Sequence, residues 1–358
     1  MQFEPLYSWL PAVAEPLLIA GPCGAESLDQ LMLTAKGLKE TNRVSLFRAG
    51  VWKPRTRPNA FEGKGEEALK WLVEIKKEYG FKITVEVANA QHTELALKYG
   101  MDVLWVGART TVNPFSVQEI ADVLKGVNIP VMVKNPIHAD LQLWIGAIER
   151  VYNSGITKIA AIHRGFHFYG KTKYRNKPLW QLPIELRTLF PDLPIICDPS
   201  HISGNKELIP SVAQKALDLG MNGLMIESHY DPSLALSDAQ QQLKPQQLNE
   251  MIPKLILRKQ NFEDAVTTNK LLELRKIIDE IDDELINILK KRTQIIEQIG
   301  GYKKEHSVTI FQLERWQEIL RTRGQWADKI GISRQHVEKI CQLLHEESIR
   351  IQNGLMNN

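Results

Sequence analysis

Residues 194–228 read PIICDPSHISGNKELIPSVAQKALDLGMNGLMIES. An apolar run, Pro194–Cys197, ends in the polar DPSH. A stretch of helical period follows and closes at Gly220, a residue suited to a helix C-cap. A second apolar run, Gly223–Ile226, then ends in Glu227 and Ser228. This is one strand–helix–strand unit. Worked outward, the same unit recurs from about residue 17 to 250. The candidate strands are Leu17–Ala20, Ser45–Ala49, Lys82–Val87, Val103–Val106, Val131–Lys134, Lys158–Ile162, Pro194–Cys197 and Gly223–Ile226. Amphipathic segments such as EEALKWLVEIKKEYG (66–80) separate them. Eight strands alternating with helices predict an α/β fold, a (β/α)8 TIM barrel, whose site lies at the C-terminal strand ends.

The pattern changes near residue 253. The segment TTNKLLELRKIIDEIDDELINILKKRTQIIEQIGGYKKE (267–305) keeps apolar residues at helix spacing over nearly its whole length. That exceeds a usual globular helix and predicts a coiled or bundled partner. Further helices are expected over Leu313–Arg323 and from Ser333, a suitable N-cap, to about Asn353. The expected division is a barrel over 1–252, a linker over 253–266 and a small all-α domain over 267–358.

Composition bounds the function. With 358 residues, 43% hydrophobic and 24% charged, the chain reads as a soluble globular protein of one large and one small domain. A net charge of +3 does not by itself suggest nucleic-acid binding. Three distant cysteines, Cys23, Cys197 and Cys341, make no disulfide framework and point to a reducing, cytoplasmic setting. The N-terminus carries acids and prolines where a signal peptide would carry a basic region, and no apolar run is long enough to span a membrane.

The polar residues at the strand ends form two groups. Cys23, His201, Glu227 and Asp238 each end or follow an apolar run. Taken singly, Cys23 would be a small buried hydrophobe, His201 a capping residue, and the acids surface charges. Their joint placement favours one site for a divalent ion such as Mn, Fe, Co or Zn. Asp198 is a candidate general base or hydroxyl acceptor, and Glu86 a candidate for positioning a water. The second group is Arg48, Lys53, Arg109, Lys134 and Arg164. Lone basic residues are usually solvated charges, but five at equivalent strand ends would repel unless an anion sits among them. Arginine offers bidentate contact to phosphate or carboxylate, and lysine a point charge. Arg55 and Thr56 add a second anion site on the Lys53 loop.

GPC-x-x-E (21–26), K-P-R-T (53–56), GAR (107–109), Lys134, DPSH (198–201) and IE-x-H…LSD (226–238) together resemble the 3-deoxy-D-arabino-heptulosonate 7-phosphate (DAHP) synthases of the type I β-like subgroup, over about residues 15–250. The resemblance implies condensation of phosphoenolpyruvate with erythrose 4-phosphate, the entry step to the aromatic amino acids. It implies that Cys23, His201, Glu227 and Asp238 hold the metal, Mn2+ foremost. Arg48, Lys53, Arg109, Lys134 and Arg164 would then hold phosphoenolpyruvate, and Arg55, Thr56 and Asp198 the sugar phosphate. Lys53, Asp198 and Glu86 are the expected catalytic residues. The chain departs from the family pattern at Gly24, Arg57, Asn135 and Ala239, none of them an implied ligand. It begins close to the first strand, so no ferredoxin-like regulatory domain is expected ahead of the barrel. The related 3-deoxy-D-manno-octulosonate 8-phosphate synthases share barrel and metal set but carry K-A-N-R where this chain has Lys53–Thr56.

In the helical part, Arg292 and Lys303 are eleven residues apart, about 1100° of rotation and so close to one face. Arg275 lies roughly a quarter turn off that face, and Ser348 and Gln352, one turn apart, share a face. Each cation alone would be an exposed helix charge. The arrangement L-x-x-L-R-x-x-I-D…R…K…R…S-x-x-x-Q resembles the all-helical chorismate mutases over about 265–354. It implies a chorismate site of Arg275, Arg292, Lys303, Arg315, Ser348 and Gln352. Lys303 and Gln352 would be catalytic, and Arg275 would reach across a homodimer. Trp316 stands where many relatives have glutamate. Prephenate, the mutase product, is an expected inhibitor of the barrel. The alternative is a helical domain that senses chorismate or prephenate with little turnover.

Overall fold

The computed structural model describes residues 1–53, 60–258 and 265–357. Arg55, Thr56 and Arg57 lie outside the described residues. The chain forms two compact units, 1–260 and 261–358.

The first unit is a closed parallel barrel in sequential strand order. Its strands are β1 (Leu17–Gly21), β2 (Leu46–Ala49), β3 (Ile83–Val87), β4 (Val103–Val106), β5 (Val131–Lys134), β6 (Ile159–His163), β7 (Ile195–Cys197) and β8 (Gly223–Glu227). Each expected strand is found, displaced by at most one residue at either end. The register runs Ala20 beside Phe47, Ala49 beside Val85, and Cys197 beside Leu224, and Gly21 closes the ring beside Glu227.

The helices, in chain order, are α1 (Leu6–Trp9), α2 (Leu28–Glu40), α3 (Glu66–Tyr79), α4 (Ala90–Lys98), α5 (Ala108–Thr111), α6 (Pro114–Val123), α7 (Leu141–Asn153), α8 (Gln181–Leu189), α9 (Pro199–Ser203), α10 (Ile209–Asp218) and α11 (Pro245–Met251). Their starts follow local chemistry. Ser27, Asn89 and Asp140 accept main-chain N–H groups in the first turns of α2, α4 and α7. Gly80, at φ +67°, ends α3.

Strand periodicity sorts the side chains into two cores. Leu18, Phe47, Val85, Leu104, Val133, Ala161 and Leu224 face outward, under the helices. Leu17, Ile19, Leu46, Val103, Trp105, Met132, Ile162, Ile196 and Met225 fill the barrel. Leu6, Trp9 and Leu10 join this inner core and close its N-terminal end. Two residues further along the same inner rows stand Arg48, Lys134, Arg164, Asp198 and Glu227. The barrel interior is therefore apolar below and charged above, with Trp105 as the uppermost large ring. Ile252–Lys254 forms a short 3-10 turn. The chain after it is tied to α10, where the Gln214 side chain pairs both ways with the Ile256 main chain and Arg258 reaches Asp218 at 2.8 Å.

The second unit consists of α12 (Ala265–Glu305), α13 (Leu313–Lys329) and α14 (Arg334–Asn357). The Ser333 hydroxyl accepts the His336 N–H at the start of α14. At Gly300 α12 packs closely against α14. A methyl group there would lie 3.0 Å from Leu355 Cδ1 and 3.2 Å from Gln352 Cγ. No helix among the described residues is long and apolar enough to cross a membrane.

Candidate functional site

At the C-terminal end of the barrel, one ligand atom each from Cys23, Glu227 and Asp238 lies within 4.8 Å of the others. Cys23 Sγ is 3.1 Å from Asp238 Oδ2, and His201 Nε2 is 3.7 Å from Glu227 Oε1. Asp238 adopts a left-handed conformation, φ +51°.

Each acidic group is matched by a cation. Arg48 Nη2 is 3.2 Å from Glu227 Oε1, Lys53 Nζ 2.8 Å from Cys23 Sγ, and Lys134 Nζ 2.9 Å from Asp198 Oδ2. Burial works against every one of these charges. It pushes the Cys23 thiol up to about 12, an effect that Glu227 reinforces and Lys53 opposes. Burial also raises the Glu227 and Asp238 carboxyls, yet neighbouring basic groups outweigh it and hold both below their ordinary values. His201 and Arg48 act on Glu227, and Arg175 and His201 on Asp238.

A thiol and two carboxylates this close are costly to ionise together without a cation among them. Sulfur, imidazole and carboxylate donors suit a borderline divalent ion, so the residues fit one.

Asp198 is fully buried. Its Oδ2 is 2.9 Å from Lys134 Nζ and 2.8 Å from His201 Nδ1, and its Oδ1 accepts the His201 N–H. Both oxygens are engaged, so the carboxylate is placed to orient Lys134 and His201. It directs His201 Nε2 toward Glu227.

The cations differ in placement. Arg48, Lys134 and Arg164 are buried, Lys53 is half-buried, and Arg109 lies exposed on α5. Arg48 Nε and Nη1 are buried donors with no hydrogen-bond partner among the described residues. Arg48 and Lys134 lie 5.1 and 5.7 Å from the centre of the Trp105 ring. Trp105 donates its Nε1–H to Glu86 at 3.0 Å. A methyl group on Gly107 would fall 2.0 Å from Glu86 Oε1, which explains the glycine of the GAR motif.

Burial lowers Arg164 to about 10, the largest influence on it. Asn135, one of the departures from the family pattern, donates to the Pro136 and Gly165 carbonyls and accepts the Arg164 N–H at 2.7 Å. Its part is to hold the Arg164 turn.

Four residues outside the expected set belong to this network. Gln242 accepts the Cys23 N–H at 3.0 Å, and Gln241 donates to Glu227 Oε2 at 2.6 Å. Arg175 reaches Asp238, and Asn176 reaches Arg164. The glutamine cluster 240–242 is conspicuous in sequence, but its spacing carries no signal of these contacts.

In the helical unit, Arg292 donates to the Ser348 hydroxyl at 2.9 Å, and Gln352 packs one turn beyond it. Lys303 donates to the Ile310 carbonyl at 2.6 Å. Arg315 instead pairs with Glu318 on its own helix, and Arg275 is exposed. Gln352 Oε1 and His345 Nε2 are buried without a hydrogen-bond partner among the described residues. His345, which the motif reading passed over, stacks on Trp316 at 4.2 Å. Burial first, then Arg292, push its pKa down and favour a neutral ring.

Comparison with known proteins agrees with both units. Residues 14–262 match the DAHP synthetase I family, and residues 274–353 match chorismate mutase type II. A phospho-2-dehydro-3-deoxyheptonate aldolase of Thermotoga maritima is 32% identical over 238 residues, covering 66% of this chain and 68% of the relative. A 2-dehydro-3-deoxyphosphooctonate aldolase of Helicobacter pylori is 30% identical over 275 residues, covering 68% and 95%. The crystal structure of the Thermotoga maritima DAHP synthase superposes with a TM-score of 0.60 at 30% identity, covering 67% of each chain. With the barrel, its strand-end site and these matches in hand, the chain belongs to the DAHP synthetase I family and continues into a chorismate mutase domain of type II.

Proposed function

We propose that the synthase reaction of the barrel is metal-dependent, that it joins phosphoenolpyruvate to erythrose 4-phosphate, and that prephenate formed by the helical domain feeds back on it. One juxtaposition carries the barrel reading. A buried thiol–carboxylate cluster adjoins buried guanidinium donors of Arg48 that have no partner among the described residues.

In this reading Cys23, His201, Glu227 and Asp238 hold one divalent ion, Mn2+ foremost, which when bound supplies Lewis-acid polarisation of the aldehyde oxygen. Arg48, Lys134 and Arg164 grip the carboxylate and phosphate of phosphoenolpyruvate from the buried side. Lys53 and Arg109 do so from the rim. The enol carbon attacks the aldehyde, and the cations screen the enol phosphate as water adds at C2 and phosphate leaves. Glu86, fixed by Trp105, positions that water. Asp198 keeps Lys134 and His201 in register. Arg55 and Thr56 are assigned to the sugar phosphate.

Arg292, Lys303, Ser348 and Gln352 line the chorismate site. The rearrangement is pericyclic and needs no nucleophile. The cations fold the dianion, and Lys303 with Gln352 donates to the ether oxygen as charge develops there.

Arg275 completes the site of a second copy. Support comes from α12, where Leu274, Ile278, Ile281, Leu285, Ile288, Ile295 and Ile299 are all exposed on one chain and follow a heptad stripe. The catalytic set in the helical domain favours turnover over a purely sensing role, because binding alone would tolerate loss of Gln352. A soluble enzyme of the cytoplasm fits these substrates.

The test is an assay of condensation with erythrose 4-phosphate against arabinose 5-phosphate, with and without prephenate. Preference for erythrose 4-phosphate and inhibition by prephenate are expected. Preference for the five-carbon sugar would move the barrel to the octulosonate branch, and indifference to prephenate would remove the feedback.

A further inference from the structure

We propose that the dipeptide Arg175–Asn176 is a positioning element that orients the carboxylates of the metal cluster and couples that cluster to the anion clamp. The inference rests on the metal and phosphoenolpyruvate reading above.

The dipeptide lies between β6 and α8 and is pinned by its main chain. The Arg175 N–H donates to the Ser203 carbonyl at 3.3 Å, and the Asn176 N–H to the Ile202 carbonyl at 3.2 Å. Lys177, next along, exchanges two 2.8 Å bonds with Phe166. Two glycines make room. A methyl group on Gly204 (φ +71°) would fall 2.4 Å from Arg175 Cβ, and one on Gly165 (φ +75°) would fall 2.8 Å from the Asn176 carbonyl oxygen.

The two side chains serve opposite sides of the site. Arg175 Nη1 donates to Asp238 Oδ1 at 2.8 Å and to Gln241 Oε1 at 2.6 Å. Gln241 passes the constraint on, donating its Nε2–H to Glu227 Oε2 at 2.6 Å. In each carboxylate, therefore, one oxygen is held by the Arg175–Gln241 pair and the other faces the cluster. Asp238 Oδ2 lies 3.1 Å from Cys23 Sγ, and Glu227 Oε1 lies 3.7 Å from His201 Nε2. Fixing the outer oxygen of a ligating carboxylate sets the direction of the inner one.

Asn176 is buried and faces the clamp. Its Oδ1 accepts from Arg164 Nη1 at 2.9 Å, and its Nδ2 donates to the His201 carbonyl at 2.6 Å. One carboxamide thus joins an anion-binding guanidinium to the main chain of a metal ligand. A movement of Arg164 onto an anion pulls on His201 through two hydrogen bonds, so metal and anion affinities are linked, each changing the other by the same factor.

The test uses the full chain, stripped with chelator and titrated with Mn2+ alone, then again with saturating phosphoenolpyruvate. Free Mn2+ is read by electron paramagnetic resonance. Arg175→Met should weaken Mn2+ binding about 10- to 100-fold, and Arg175→Lys should restore part of it. Gln241→Leu should weaken it in the same direction, which guards against a folding defect peculiar to one variant. Circular dichroism and thermal midpoints are checked on each. Asn176→Ala should reduce the change in Mn2+ affinity that phosphoenolpyruvate produces in the parent protein. Parent-like Mn2+ affinity in folded Arg175→Met and Gln241→Leu would overturn the orienting role. A full phosphoenolpyruvate response in Asn176→Ala would overturn the coupling, as would the lack of any response in a parent protein that binds both. A parent protein that binds neither Mn2+ nor phosphoenolpyruvate would overturn the underlying reading instead.

Discussion

The two candidate sites of this chain are built on opposite plans. In the barrel, charged residues from every side of one ring converge, and most are buried against a partner of opposite sign, as Arg48 is with Glu227 and Lys134 with Asp198. In the helical unit the same kind of chemistry is half-open. Arg292 and Ser348 meet, but Arg275 is exposed and α12 shows an uncovered apolar stripe. A closed barrel can assemble a site within one chain because eight strand ends face a common axis. The three helices of one chain leave Arg275 and the stripe of α12 exposed.

The comparison breaks first at Glu227. Glu227→Gln removes a proposed ligand and leaves Arg48 buried without its acid. Synthase kcat should fall by at least about 1000-fold while mutase turnover in the same sample persists. Steady-state assays of both reactions check it, and equal loss of both would contradict the separation. Next is Arg292→Ala, which should cost the mutase roughly 100-fold or more and spare the synthase. A smaller effect sharpens the incompleteness of the helical site. Ile281→Asp, on the exposed stripe of α12, should shift the chain toward monomer in sedimentation and lower mutase turnover about 10-fold or more. An unchanged mass would remove the two-copy reading. Gly107→Ala should displace Glu86 and slow the synthase about 10-fold, with little change in the KM for phosphoenolpyruvate.

A separate effect, outside both sites, concerns stability. His163 sits on the outer row of β6, with Trp180 and Phe166 ring centres 5.2 and 5.8 Å away. Burial, followed by Arg164, pulls its pKa down to about 3 from 6.5. The fold therefore holds the neutral ring. Its stability is fully present above the unfolded value and is lost as pH falls from about 6.5 toward 3, by up to about 1.4 kcal/mol per pH unit. His163→Phe should flatten the acid limb of stability measured by urea unfolding. An unchanged limb would show that the imidazole is already charged at mild pH.

The barrel was legible because its strands are buried on both faces and so read as continuous apolar runs. The strand-end residues stood out because a charge ending such a run has few structural reasons to be there. Asp198 was legible as a strand-end acid, but its contacts with Lys134 and His201 were not, since only the fold brings those groups to it. Arg175, Asn176, Gln241 and Gln242 were missed because they act from loops, where no periodicity marks which way a side chain points. Residues 253–266 read as linker by their loss of pattern, and the ties of Ile256 and Arg258 to α10 carry no sequence signal. In the helical unit, spacing placed Arg292 with Lys303 and Ser348 with Gln352. It could not show that Trp316 stacks on His345, a contact between two consecutive helices that no single helical period reveals.

The claim that one chain carries a metal-dependent barrel reaction beside a metal-free helical one is tested by assaying both activities in a single preparation before and after chelation. Chelator should abolish condensation of phosphoenolpyruvate with erythrose 4-phosphate, added Mn2+ should restore it, and conversion of chorismate to prephenate should continue throughout. Condensation that survives exhaustive chelation would contradict it.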